Sequence, residues 1–100
     1  MPPTRSEASI EAEIVSYFSK LPNCYGLKIH GDIYSINQPD RLWCLQGRTI
    51  VVEVKRPGEV PRPGQIAVLR KWRNAGALAI WASDLDKVKA KLREAGLIAY

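Results

Sequence analysis

The run Thr49-Ile50-Val51-Val52 is β-branched at every position, the composition of a strand buried in a sheet, yet it ends in two charges, Glu53 and Lys55. Side chains alternate along a strand, so these two charges share one face. Just upstream, Arg41 to Leu45 reads as a partner strand, and Gln46-Gly47 falls where a two-residue hairpin turn sets a glycine at positive φ. A hairpin closed there pairs Asp40, which follows Pro39, with Glu53. Opposed carboxylates have Cβ atoms about 5 Å apart and repel unless a cation or a shared proton offsets their charge. The register therefore points to a metal ion between Asp40 and Glu53.

The rest of the chain supplies the frame for this hairpin. Thr4 and Glu7 fit a capping box, and Ile10, Ile14, Tyr17, Phe18 and Leu21 recur at helical spacing until Pro22-Asn23 stops the run. Glu11 lies at the edge of that apolar stripe and is the acid best placed to look inward, with Glu7 engaged in the cap and Glu13 facing away. Tyr25 to His30 reads as a strand and Gly31 to Gln38 as a polar loop. Arg56 to Gly64, dense in proline and glycine, reads as a surface loop directly after the acid and base. Gln65, Leu69 and Trp72 share a face of a second helix ended by Gly76. Ala77 to Ala82 reads as a buried strand, and Ser83, backed by Asp84 and Asp86, caps a third helix running to Gly96. The order is αβββαβα, with a short terminal strand at Leu97 to Tyr100 as an addition.

One hundred residues, 46% hydrophobic and 25% charged, suit a single globular domain over 1–100. No stretch approaches a membrane span, and the polar N-terminus lacks the apolar segment of a signal peptide, so the expected location is cytoplasmic and no membrane partner is expected. Cys24 and Cys44 are too few for a zinc site and read as partly buried free thiols. The net charge of +5, with a pI near 9.5, favours a polyanionic partner such as nucleic acid.

Pro39-Asp40, then Glu53-Val54-Lys55, then Gln65 in a following helix resemble the PD-(D/E)xK nuclease signature. More narrowly, Glu11 in the first helix, Arg56-Pro57-Gly58 after the lysine, Pro63 near Gln65 and a helix ending in Ala75-Gly76 resemble the VRR-NUC family, especially its small stand-alone phage and bacterial members. Nearly the whole chain is covered. One position departs: the family usually has glycine two residues before the proline, where this chain has Asn37, a residue that tolerates the left-handed conformation better than most. The resemblance implies a restriction-endonuclease-like α/β fold, an αβββαβ core with a C-terminal helix and a mixed central sheet flanked by helices. It also implies a homodimer acting on branched DNA such as a four-way junction, in the cytoplasm of a bacterium or a phage-infected host.

Phosphodiester hydrolysis needs a water nucleophile, charge neutralisation at the phosphorus and help for the leaving oxygen, much of which magnesium supplies, with manganese as a substitute. Magnesium prefers hard oxygen ligands and keeps several waters. Asp40 and Glu53 are the expected direct ligands, and the resemblance adds the backbone carbonyl of Val54. Lys55 is expected to orient or deprotonate the attacking water, or to set a positive charge on the scissile phosphate. Glu11 is a further candidate, through a bridging water or at a second ion, and Gln65 a hydrogen-bond partner of the water or of Lys55. Arg56, Arg62, Arg70, Lys71 and Arg73 suit phosphate contacts that carry no base information. The expected function is a magnesium-dependent, structure-selective DNA endonuclease resembling a Holliday-junction resolvase. The alternative is a non-catalytic nucleic-acid-binding module on the same fold.

Each motif also has a plainer reading. Asp40 caps a turn, Glu53 and Lys55 form a surface ion pair, Glu11 is a solvated helix flank, and Gln65 makes a helix-start hydrogen bond. His30 reads as a strand-end or core residue and Asp32 as a loop acid. Trp43, Trp72 and Trp81 read as packing residues, and Lys87, Lys89, Lys91 and Arg93 as a solvated helix face.

Overall fold

The β-branched run forms a central strand of the sheet, flanked on both sides by other strands, which accounts for side chains that bury on either face. The computed structural model describes residues 5–33 and 36–99. Its elements are α1 (Glu7–Ser19), β1 (Cys24–Lys28), β2 (Arg41–Leu45), β3 (Arg48–Val54), α2 (Pro63–Asn74), β4 (Leu78–Ala82) and α3 (Leu85–Glu94), the expected αβββαβα order. The sheet is mixed, in the order β1-β2-β3-β4, antiparallel through β3 and parallel between β3 and β4. The β2–β3 hairpin pairs Leu45 with Arg48 across Gln46-Gly47, whose φ values of 51° and 85° are those of a two-residue type I′ turn.

Alternation along the strands sorts the core into two layers. Trp43, Leu45, Ile50, Val52, Val54, Ile80 and Ala82 pack with Ile10, Ile14 and Phe18 of α1 and with Val88 and Leu92 of α3. Val51 and Ala79, with Leu42 and Trp81 beside them, meet Leu69 and Trp72 of α2 on the opposite face. Phe18 stacks on Trp43 with ring centroids 3.9 Å apart and planes 10° from parallel. Gly26, paired with Trp43, makes room for that ring: a Cβ there would lie 2.1 Å from Trp43 Cδ1.

Several boundaries differ from the sequence reading. Thr4 lies outside the described residues, and α1 is capped by Ser6, whose Oγ accepts from Ser9 N at 3.1 Å, so Glu7 is a first-turn residue and is not spent on the cap. In α3 the cap is Asp84, not Ser83, its Oδ1 accepting from Lys87 N at 2.7 Å. Strand β1 stops at Lys28 because its partner β2 begins only at Arg41, and Pro39 has no N–H to extend the ladder. His30 therefore lies beyond the strand and is exposed, not in the core. The loop after β3 ends at Arg62, since Pro63 and Gly64 already belong to the first turn of α2, where a proline's missing N–H has no consequence. Leu97–Ala99 form no strand, and Cys44, on the sheet face away from α1, is exposed rather than partly buried. No described helix is long and apolar enough to cross a membrane.

Candidate active site

Asp40 continues the β2–β3 ladder one pair beyond the strand. Its N–H donates to Val52 O at 3.0 Å, its carbonyl accepts from Ile29 N at 2.9 Å, and Arg41 pairs with Val52, so Asp40 stands opposite Glu53. Both follow the alternation of Leu42 and Val51 and point to the α2 face. The Asp40 carboxylate also accepts from Val54 N at 2.7 Å, tying the acid to the strand end. This is more than a turn cap, because the hydrogen bond reaches across the hairpin.

Glu53 is only 4% exposed. Its Oε1 lies 3.8 Å from Lys55 Nζ and accepts a long, 3.4 Å hydrogen bond from Gln65 Nε2, while Oε2 is buried without a hydrogen-bond partner. Burial first, and then the charge of Asp40, push the Glu53 carboxyl up to about 8, against the opposing pull of Lys55. A buried oxygen beside a second carboxylate would be satisfied by a divalent cation or, while Glu53 is protonated, by a proton shared with Asp40. Among the described residues no three His, Cys, Asp or Glu side chains come together as a metal cluster. Carboxylate oxygens such as those of Asp40 and Glu53 suit a hard divalent ion.

Gln65 makes the helix-start hydrogen bond of its plainer reading and turns to Glu53 in place of the expected partner Lys55. Its Oε1 accepts from Arg62 N at 2.9 Å at the start of α2, and its amide nitrogen faces Glu53. The helix start thereby fixes the orientation of a polar group in the site.

Glu11 does not join the two acids. Its Oε2 takes Arg41 Nε at 2.6 Å and lies 3.8 Å from Lys28 Nζ, on the face of the sheet covered by α1. Asp40 and Glu53 point to the other face. The acid of α1 that Glu53 does sense is Glu7, one turn earlier, whose charge adds a small upward push to the Glu53 carboxyl. The i, i+4 spacing of Glu7 and Glu11 puts both on one helix face, a relation that reading Glu7 as a cap residue conceals.

Asp40, Glu53, Gln65 and Arg62 line an open depression of about 530 Å³, together with residues of the loop before β2. In that loop Asn37 adopts φ 66°, the left-handed conformation expected where the resembling family places glycine. Its side chain occupies the space over Gly64, where a Cβ would sit 2.5 Å from Asn37 Nδ2. Gln38 accepts from Trp72 Nε1 at 3.0 Å, so both residues secure the loop to α2. Of the five basic residues singled out, Arg62 lines the depression. Arg56 is paired with Glu59, Arg73 donates to Ala79 O at 3.1 Å, and Arg70 and Lys71 are exposed along α2.

No family model matches this chain, and no curated protein does. Among solved structures, one named "VRR_NUC domain" superposes with a TM-score of 0.73 at 27% identity, covering 88% of this chain and 94% of the other. A second, named "VRR_NUC domain protein", gives a TM-score of 0.70 at 14% identity over 91% of this chain and 88% of its own, a likeness of fold alone.

Proposed function

We propose, for a chain that carries the fold of the VRR-NUC nuclease family, a magnesium-dependent, structure-selective DNA endonuclease resembling a Holliday-junction resolvase and acting as a homodimer. The observation that carries this reading is the Asp40–Glu53 pair: two acids in one register, one of them buried with an unpartnered oxygen and a lysine two residues on.

Asp40, Glu53 and the Val54 backbone carbonyl are the groups that would hold the cation. Bound there, magnesium supplies charge neutralisation at the scissile phosphate and a more acidic water. Hydrogen-bonded to Val54 N, Asp40 keeps its carboxylate aimed along the strand end. Lys55, largely buried, carries its ammonium beside Glu53, where it orients water and attracts a phosphate oxygen. Gln65, anchored by the Arg62 backbone, donates to Glu53 Oε1 and so helps to orient the Glu53 carboxylate. Arg62 lies at the rim of the same depression and suits a phosphate contact. Glu11 serves the site indirectly, since its bond to Arg41 holds the residue next to Asp40 against α1.

The direct test is cleavage of an end-labelled four-way junction in magnesium by wild type, Asp40→Asn and Lys55→Ala. Wild type should cut, and each variant should lose about 10²-fold or more in rate. Undiminished cutting by both variants removes the assignment. Salt-sensitive binding by wild type with no cutting in either magnesium or manganese would instead identify a non-catalytic nucleic-acid-binding module.

A further inference from the structure

The depression that holds Asp40 and Glu53 has an apolar rim. Ile33 and Ile36, in the loop before β2, both line it, although they are 76% and 65% exposed. Single exposed aliphatic residues are ordinary on protein surfaces. Two of them, three residues apart, opening onto the same depression as a pair of carboxylates, are a local concentration of apolar surface beside a polar floor. Both are β-branched, with few rotamers to lose on contact. Their loop is also secured at its far end by Asn37 over Gly64 and by Gln38 bonded to Trp72.

We infer that Ile33 and Ile36 form a wedge that packs against nucleobases exposed at an interrupted stack next to the scissile phosphate, and so determine which DNA is cut. This rests on the nuclease reading above. Aliphatic side chains of this kind enter base steps and unstack them, at a cost that is smallest where stacking is already broken. Nucleic acid is also the partner whose chemistry fits this combination of groups: its phosphates meet Arg62 and the acid-bound cation, and its flat apolar bases meet the two isoleucines. A protein partner seated on this rim would close the acid pair off from a cation and its waters. The substrate class that follows is DNA with an unstacked step, such as a junction, fork or flap, in preference to continuous duplex.

The test compares wild type, an Ile33→Ser/Ile36→Ser double variant and an Ile33→Leu/Ile36→Leu double variant. One readout is the cleavage rate in magnesium on a junction, a flap and a linear duplex. The other is fluorescence of 2-aminopurine at the branch point with calcium in place of magnesium, which reports unstacking without cutting. Both isoleucines are exposed, so the variants should fold, and thermal melting checks this. The serine variant is expected to lose about tenfold or more on branched DNA, with duplex cleavage little changed, and to lose the fluorescence increase. The leucine variant should restore both. An unchanged branched-to-linear ratio together with an unchanged fluorescence signal overturns the wedge. So does conversion of a wild-type dimer to monomer by the serine pair, which would make the isoleucines a subunit contact. Failure of wild type to cut any of these DNAs counts against the nuclease reading alone, because the fluorescence readout still decides the wedge.

Discussion

At the scale of single residues, the most consequential group is Glu53, a carboxyl held near pH 8 by burial and by Asp40. A carboxyl whose pKa is raised on folding contributes most to stability below its unfolded value of 4.5, and that contribution is lost as pH rises to about 8. In EDTA the native protein should therefore lose thermal stability from pH 5 to pH 9 more steeply than Glu53→Gln, and magnesium should restore wild type, not the variant, at the alkaline end. Melting curves across this range check it; parallel pH profiles for the two proteins would show that Glu53 is not the strained group. The α1 acids give a second contrast. Glu7→Gln should make the loss of stability between pH 5 and pH 9 in EDTA slightly shallower, because the Glu7 charge adds to the upward push on the Glu53 carboxyl. Glu11→Gln should cost about 1–3 kcal/mol in stability by loosening Arg41, and should weaken metal binding only as far as that loosening reaches Asp40. The motif letters were legible here, since Asp40, Glu53, Lys55 and Gln65 do converge. The partner of Glu11 was not, because nothing local in the sequence places Arg41 under α1.

Among the elements, the hairpin and α1 depend on a close fit around one ring. Trp43 lies between Phe18 and the backbone of Gly26, so either side can be tested. Phe18→Ala should cost about 3–5 kcal/mol through the cavity it leaves. Gly26→Ala should cost about 1–3 kcal/mol, because the added Cβ meets both the indole and the Leu42 carbonyl oxygen, 2.5 Å away. Chemical denaturation measures both, and a Gly26→Ala protein as stable as wild type would show that the ring and the β1–β2 pairing can both shift at no cost. Element types and order were readable because each carries a distinct periodicity: two for β3, three to four for α1, and Pro/Gly punctuation between them. The ends were harder to read. Ser6 and Ser9, or Asp84 and Lys87, form caps through one hydrogen bond whose choice among neighbouring Ser, Thr and Asp residues depends on where the incoming chain lies.

Over the whole molecule, α2 covers one face of the sheet, α1 and α3 cover the other, and the acid pair emerges on the α2 side at the end of the central strands. With a net charge of +5, DNA binding in calcium should weaken steeply with salt, and Arg62→Ala should flatten that dependence by about one phosphate contact. Titration at several salt concentrations gives the slope; an unchanged slope places Arg62 away from the backbone. The proposed homodimer should sediment as a single species of twice the chain mass at micromolar concentration, and a monomer under the same conditions would remove it.

The sequence by itself determined the hairpin register, and with it the opposition of Asp40 and Glu53, because a two-residue turn at Gln46-Gly47 allows one pairing and alternation does the rest. It also determined the αβββαβα order, through local periodicity. Only the tertiary structure decided that Glu11 pairs with Arg41 and not with the two acids, that Gln65 faces Glu53 while starting a helix, and that Ile33 and Ile36 open on the same depression as the acids. The reason is physical: register is set by bonds between neighbouring strands, whereas these placements depend on how helices and a long loop settle across a twisted sheet, through packing between residues far apart in the chain.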